Sequence, residues 1–162
     1  MKKKYLKDLS VVVKILLEDK SIKETIKNFK LKLRKSNEPF IGSAIRIESF
    51  RERLLQNIKS IWIFVNKKNV PSIAHCHPNT TQHTVIIEGK GEVKIAGRCE
   101  EMRLFNQQNE DCWYVIDKGV AHEFYPKGRE MVVISFHTCL SNELIEIKCD
   151  SGKQRLYETV KK

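Results

Sequence analysis

The sequence lacks the marks of several common protein classes. No apolar stretch reaches the roughly 20 residues that a membrane-spanning helix needs. There is no internal repeat, no GxSxG nucleophile turn and no glycine-rich loop that enters a helix at GK[ST]. The cysteines form no CxxC pair and are odd in number, which argues against a zinc ribbon and a disulfide framework; they are Cys76, Cys99, Cys112, Cys139 and Cys149. These absences predict a cytoplasmic protein without a membrane span.

Positive charge is concentrated at the beginning of the chain. The 162 residues carry a formal net charge of +10, and residues 1–35 hold twelve Lys or Arg against four Asp or Glu. Such an arm can lie on nucleic acid or on anionic lipid. Lysine-rich helix faces that simply contact solvent are more common, so a nucleic-acid partner is not expected.

The basic arm, residues 1–38, has helical periodicity. Apolar residues recur every three or four positions from Tyr5 to Glu18, which predicts an amphipathic helix. A second helix is predicted to start at Ser21, because Ser21 and Glu24 have the spacing of a capping box. Both helices then have an apolar stripe to bury, on the barrel that follows or on a partner.

From residue 41 onward the periodicity changes to two, which indicates β-strands. Many short strands separated by turn residues favour a sandwich or barrel, and the double-sheet jelly roll is the closest match. The predicted barrel spans residues 39–150 and the C-terminal tail residues 151–162, with Leu156 and Tyr157 packing the tail onto the outside. Strands are predicted near 44–49, 60–66, 73–77, 82–88, 91–96, 101–105, 112–116, 121–125, 130–137 and 143–148, and residues 51–58 fit either a strand or a helix.

Histidines with a regular spacing follow in HCHPNTTQHTVIIEGKG and DKGVAH. Two histidines two positions apart on a strand project onto the same face, so a sheet can present both to one ion. The spacing resembles the two cupin signatures, which are HxHxxxxE followed by six residues and a glycine, and PxGxxH. The matching positions are His75, His77, Gln82 and Gly89 in the first signature and Gly119 and His122 in the second. Gln82 and Asp117 depart from the family pattern, which has glutamate and proline there.

The resemblance implies a mainly β, double-stranded β-helix barrel that binds a divalent transition metal, namely iron, nickel, manganese or zinc. It implies His75, His77 and His122 as ligands, with Gln82 as a weak fourth ligand or a substrate contact. A neutral amide leaves the ion its positive charge, which favours an anionic or chelating ligand such as a carboxylate, enolate or catecholate. The competing interpretation is that Gln82 marks a decayed site that binds without chemistry.

Further residues are candidates for the wall of the site. Alternation along the strands points Cys76 and His83 away from the ion. Ser135 and His137 share one face of their strand. If that face is inward, both can contact a substrate, but His137 lies at the strand end and can equally be exposed. General acids or bases are offered by Tyr114, Tyr125, Glu88, Glu123 and Arg46. An apolar substrate pocket is expected to include Phe64, Ile86, Trp113 and Phe124, together with Ser135, although core packing explains the apolar members equally well.

Two functions remain open at this point. The first is a metal-binding cupin acting on a small, anionic molecule, as an iron-dependent dioxygenase or as a sugar or keto-acid isomerase. The second is a non-catalytic ligand-binding or regulatory module whose basic arm contacts a partner or nucleic acid. The resemblance also implies a homodimer with residues 1–35 near the contact, since open sheet edges favour pairing.

Overall fold

Two helices precede a set of short strands in the computed structural model, which describes residues 4–157. Within that range the helices are α1 (Lys4–Glu18) and α2 (Lys20–Arg34). The strands are β1 (Phe40–Ile45), β2 (Ser60–Asn66), β3 (His75–Cys76), β4 (Gln82–Glu88), β5 (Gly91–Ile95), β6 (Arg98–Glu101), β7 (Tyr114–Ile116), β8 (His122–Pro126), β9 (Met131–His137), β10 (Ile145–Lys148) and β11 (Gln154–Leu156).

The strands form two antiparallel sheets that share a core. One sheet has the order β1-β2-β9-β4-β7 and the other the order β11-β10-β3-β8-β5-β6. Ile86 and Val133 of the first sheet pack in one cluster with Val93 and Phe124 of the second. The predicted mainly β jelly roll with two N-terminal helices is therefore confirmed.

Strand β9, in the middle of the five-stranded sheet, is buried on both faces. Every residue of β9 is buried, and alternate side chains enter two different clusters. Val132, Ile134 and Phe136 point outward to the helices, whereas Met131 and Val133 point inward to the second sheet. A strand buried on both faces reads as a continuous apolar run, as in VVISF.

Helices α1 and α2 cover the outer face of this sheet. Leu9 and Leu16 of α1 and Leu33 of α2 are fully buried in the cluster that also holds outward side chains of β2, β4 and β9. The indole N–H of Trp113 donates to Ser10 Oγ at 3.0 Å, which ties α1 to the sheet. The arm packs on its own barrel, and the homodimer stays a prediction. None of the described helices has the length and apolar character needed to cross a membrane.

The start of α2 differs from the prediction. Its N-cap is Asp19, whose carboxylate accepts hydrogen bonds from the backbone N–H and the hydroxyl of Ser21, both at 2.7 Å. A carboxylate accepts these bonds as well as a serine hydroxyl would, and it lies two residues earlier. The ambiguous residues 51–58 form turns and are neither strand nor helix.

The end of the chain also differs from the prediction. Residues 154–156 form a strand that pairs with β10, and Tyr157 is buried rather than packed on the outside. Leu156 is exposed, like the other residues of this strand. Residues 158–162 of the predicted tail lie outside the described residues.

Candidate metal centre

Three histidines converge between the two sheets. His75 on β3 lies directly opposite His122 on β8, and His77 follows β3. The ring centroids are 5.1 Å apart for His75 and His77, 4.4 Å for His75 and His122, and 5.3 Å for His77 and His122. One nitrogen from each ring lies within 4.8 Å of the others, and all three side chains are buried. This spacing suits a single shared ion.

The turn before His122 keeps its form although Asp117 replaces proline. The Val120 N–H donates to the Asp117 carbonyl at 3.1 Å, which closes the turn. Gly119 has a φ of +73°, in the left-handed region that glycine adopts without strain. The Gly119 N–H donates to the His77 carbonyl at 2.8 Å, so the two histidine segments are joined directly.

Backbone carbonyls fix the orientation of all three rings. His75 Nδ1 lies 2.8 Å from the Ile73 carbonyl oxygen, and His122 Nδ1 lies 3.0 Å from that of Val120. His77 Nδ1 lies 2.7 Å from the Ile145 carbonyl oxygen on β10. A carbonyl only accepts, so each Nδ1 carries the proton and each Nε2 keeps its lone pair. Metal-ligating histidines are held in this way.

Burial keeps the imidazoles of His77 and His122 neutral. Burial, followed by the charge of His75, lowers the pKa of His77 to about 4. The pKa of His122 is well below its ordinary value, first because of burial and then because of its two histidine neighbours. A neutral imidazole is the form that binds a metal ion, and these two rings have that form at neutral pH.

Gln82 begins β4 and faces the same interior. Its Nε2 donates to Thr84 Oγ1 at 2.8 Å and to Ser135 Oγ at 3.3 Å, and these two hydroxyls bond to each other at 2.7 Å. With the amide nitrogen engaged, Gln82 Oε1 is buried without a hydrogen-bond partner among the described residues. A buried, unpartnered acceptor is costly unless something else approaches it.

His137 adds a fourth imidazole that the sequence left undecided. It lies directly opposite Gln82 on β9, is 0% exposed, and its ring centroid is 5.7 Å from that of His77. Directly opposite residues of antiparallel strands point to the same face. Among the described residues its Nε2 has no hydrogen-bond partner, and burial before all else holds its pKa well below the ordinary value.

The donor set fits a divalent transition metal. The buried atoms without partners include His122 Nε2 and Gln82 Oε1, which are both lone-pair donors. Imidazole nitrogens suit zinc, iron, copper and nickel, and the amide oxygen is a weaker, neutral donor. His75, His77 and His122 would hold the ion, and Gln82 would complete the set.

No protein-family model matches the sequence, and no curated protein matches it either. Among solved structures, salicylate 1,2-dioxygenase from Pseudaminobacter salicylatoxidans superposes with a TM-score of 0.54, over 72% of this chain and 32% of that chain, at 7% identity. At such low identity the likeness is one of fold. This chain has the cupin fold. The architecture expected from the histidine signatures is thereby confirmed.

Two further solved structures are similar to parts of this chain. Oxalate oxidase in complex with glycolate gives a TM-score of 0.49 at 13% identity, over 64% of this chain and 52% of that chain. A double-stranded β-helix protein from Klebsiella pneumoniae gives 0.48 at 15% identity, over 76% and 89%. The chain spans about half the length of the oxalate oxidase (52%).

A small cavity adjoins the histidines of the cupin barrel. Its volume is about 30 Å³, and its wall is mostly aromatic. The lining residues are His75, His77, Gln82, Asn66, Ser72, Val133, Phe40, Phe64, Phe124 and Tyr157.

Only some of the residues predicted for the pocket are found in it. Phe64 and Phe124 line the cavity, whereas Ser135 is bonded to Gln82 behind it. Ile86 packs in the core between the sheets. Trp113 lies on the helix-covered side of the five-stranded sheet, away from the cavity.

The remaining candidates lie outside the cavity. His83 faces the helices, with its ring 5.5 Å from that of Tyr5. The carboxylates and hydroxyls proposed as acids or bases bond to groups outside the cavity. The Tyr125 hydroxyl donates to Glu123, Glu88 forms an ion pair with Lys30, and the Tyr114 hydroxyl bonds to backbone atoms. Arg46 is exposed. The sequence did not predict that Tyr157 lines the cavity. This residue follows a strand of only three residues, which is too short for alternation to reveal.

The low histidine pKa values predict a pH-dependent stability of the metal-free protein. The folded pKa of His77, about 4, lies below the ordinary value of 6.5, so protonation favours the unfolded chain. The free energy of unfolding should be constant above pH 6.5 and fall between pH 6.5 and 4, by on the order of 3 kcal/mol for His77 alone. Urea titrations in the presence of a chelator measure this, and His77→Asn should flatten the profile. A stability that stays constant from pH 7 to 4 would contradict the prediction.

Proposed function

We propose that the chain is a metal-dependent enzyme of the dioxygenase type that acts on a small anionic molecule. The observation that carries the proposal is the group of three buried imidazoles whose Nδ1 protons all point to backbone carbonyls. One nitrogen of each ring lies within 4.8 Å of the others, and the hydrogen bonds at Nδ1 leave Nε2 as the nitrogen with a lone pair. Burying three polar rings side by side is energetically unfavourable, and metal binding accounts for this arrangement.

The charge of the donor set supports an anionic substrate. The residues that could share one ion, among those the structure describes, are three histidines without a carboxylate. Gln82 adds only an amide. An ion held by neutral donors retains its charge, and it binds an anion more strongly than an ion neutralised by glutamate would.

The cavity wall favours a dioxygenase over an isomerase. Proton-transfer isomerisation needs a general acid or base within hydrogen-bond reach of the substrate. The wall has two hydroxyl groups, and both are engaged: Ser72 accepts from the Phe124 N–H, and Tyr157 donates to Glu146. An apolar wall beside a metal suits oxidation chemistry that depends on the bound ion and needs no acid or base from the wall.

Each residue of the centre then has a part to perform. A bound iron(II) ion would supply a site at which the anion and dioxygen bind side by side, and the electrons that reduce dioxygen would come from the substrate. Gln82 is held by Thr84 and Ser135, so its oxygen stays directed to the centre. His137 does not line the cavity, and its ring, 5.7 Å from that of His77, would keep the His77 ring in place. Phe64 and Phe124 would exclude water.

The alternative is a non-catalytic ligand-binding module, and the small volume of the cavity favours it. A volume of about 30 Å³ leaves little room for an organic substrate. The regulatory version of this alternative relies on the basic arm. Lys30 and Arg34 of α2 are paired with Glu88 and Glu130, which removes part of the charge that would face a nucleic acid.

Metal uptake tests the site itself. The purified protein should bind one equivalent of iron(II) or cobalt(II), and His75→Ala should weaken binding by about 100-fold or more, since a direct ligand matters at least as much as an outer-shell partner. His83→Ala is the matched control, because it removes a buried histidine of the same barrel that faces the helices. Equal metal contents in the two variants, measured by atomic emission, would exclude the triad as the site.

Oxygen consumption tests the reaction class. The iron-loaded protein should consume dioxygen when mixed with a member of a panel of small carboxylates, enolates and catechols, and His137→Gln should slow this while retaining the iron. Iron-loaded protein that binds panel members without consuming dioxygen would instead support the ligand-binding alternative.

The charge argument is tested by Gln82→Glu. A carboxylate in place of the amide should tighten the binding of divalent metal and weaken the binding of an anion such as azide to the loaded centre, each by about 10-fold, because it neutralises part of the charge of the ion. Calorimetric titrations measure both affinities. Gln82→Met, which removes the amide without adding charge, serves as the control, and stronger azide binding by Gln82→Glu would refute the argument.

A further inference from the structure

Tyr157, near the end of the described chain, forms part of the wall of the metal cavity. It follows β11 and is only 5% exposed. Its ring packs edge-on against Trp62 at 5.5 Å and Phe64 at 6.1 Å, and it lies 6.5 Å from the His77 ring. This part of the cavity wall therefore comes from the residue that follows β11.

A buried carboxylate holds Tyr157 in this position. The Tyr157 hydroxyl donates to Glu146 on β10, and Glu146 is 3% exposed. The neighbouring Ile145 supplies the carbonyl that accepts the His77 Nδ1 proton. The hairpin formed by β10 and β11 thus orients His77 and holds Tyr157 in the cavity wall.

The cavity is too small for most organic ligands. Its volume of about 30 Å³ accommodates about one or two water molecules. Pockets that bind small organic molecules usually measure about 300–1,000 Å³. A ligand larger than a few atoms reaches the histidines only if part of the wall moves.

Two edge strands lie beside the cavity: β1, of six residues, carries Phe40, and β11, of three residues, precedes Tyr157. Phe124 and Val133 belong to β8 and β9, which have strand neighbours on both sides. By contrast, β11 is an edge strand of three residues, all exposed, and it pairs only with β10. Short, exposed edge elements open at the lowest free-energy cost. Outside, the Arg155 guanidinium stacks on the rings of Tyr157 and Phe40, at 4.7 and 5.9 Å from their centroids.

We propose that Tyr157 determines which ligands reach the metal centre. With its hydroxyl on Glu146 it admits only ligands of a few atoms, and a larger anion binds when β11 separates from β10 and takes Tyr157 out of the wall. The inference rests on the proposed function because it uses the metal centre as the binding point. It assigns to the C-terminal hairpin the selection of substrates by size.

The experiment uses cobalt(II)-loaded full-length protein and two probes of different size, azide and benzoate. Visible absorption reports binding of each anion to the cobalt. Tyr157→Ala removes the ring, and Tyr157→Phe keeps the ring but removes the bond to Glu146. Tyr125→Ala and Tyr125→Phe are matched controls, because Tyr125 also donates to a glutamate, Glu123, but lies outside the cavity.

Azide should bind the wild type and all variants with similar affinity. Tyr157→Ala should bind benzoate about 10-fold more tightly than the wild type, a typical gain for relieving a steric conflict in a pocket. Tyr157→Phe should bind benzoate faster in stopped-flow mixing, because the hydrogen bond to Glu146 no longer holds the ring in place. If circular dichroism shows that Tyr157→Ala is unfolded, the binding rate of Tyr157→Phe tests the inference instead. The Tyr125 variants should behave as the wild type.

Two results would overturn the inference, and they are distinguishable. Cobalt-loaded Tyr157 variants that bind benzoate with wild-type affinity and rate would remove the role of Tyr157 and leave the metal centre in place. A wild-type protein that takes up no cobalt would remove the centre itself, and with it both the proposed function and the selection by size.

Discussion

The interaction on which the site depends is the hydrogen bond from each histidine Nδ1 to a backbone carbonyl. Those carbonyls belong to Ile73, Val120 and Ile145, on three separate segments of the chain. The bonds compensate the burial of three polar rings and fix their tautomer. The backbone of the barrel therefore carries the geometry of the centre, and side-chain packing only has to exclude water.

Periodicity predicted most of the fold because the two faces of most elements meet different surroundings. The apolar stripes of the arm and the alternation from residue 41 onward both reflect a core on one side or on both. Local chemistry was less decisive where two residues compete for one role, as Asp19 and Ser21 do at the start of α2. The strand before Tyr157 escaped prediction because three residues are too few for a period to show, and its pairing with β10 is a property of the assembled sheet.

The triad was predictable because a spacing of two on a strand fixes which side chains share a face. The burial of His137 was not, since it depends on whether the end of β9 lies inside the barrel. Trp113 shows the same limit: its side depends on the register of β7, and a shift of one residue reverses the face. The sequence therefore identified the triad residues more reliably than it identified the wall around them.

The bond between Ile145 and His77 has a consequence for the whole C-terminal region. Because one hydrogen bond belongs both to the hairpin and to the centre, the order of the hairpin and the occupancy of the centre are thermodynamically linked. Anything that stabilises the position of the Ile145 carbonyl would raise the affinity of the centre for a metal by some factor, and a bound metal would stabilise β10 by the same factor. The order of β10 would thus report whether a metal is bound in the barrel interior.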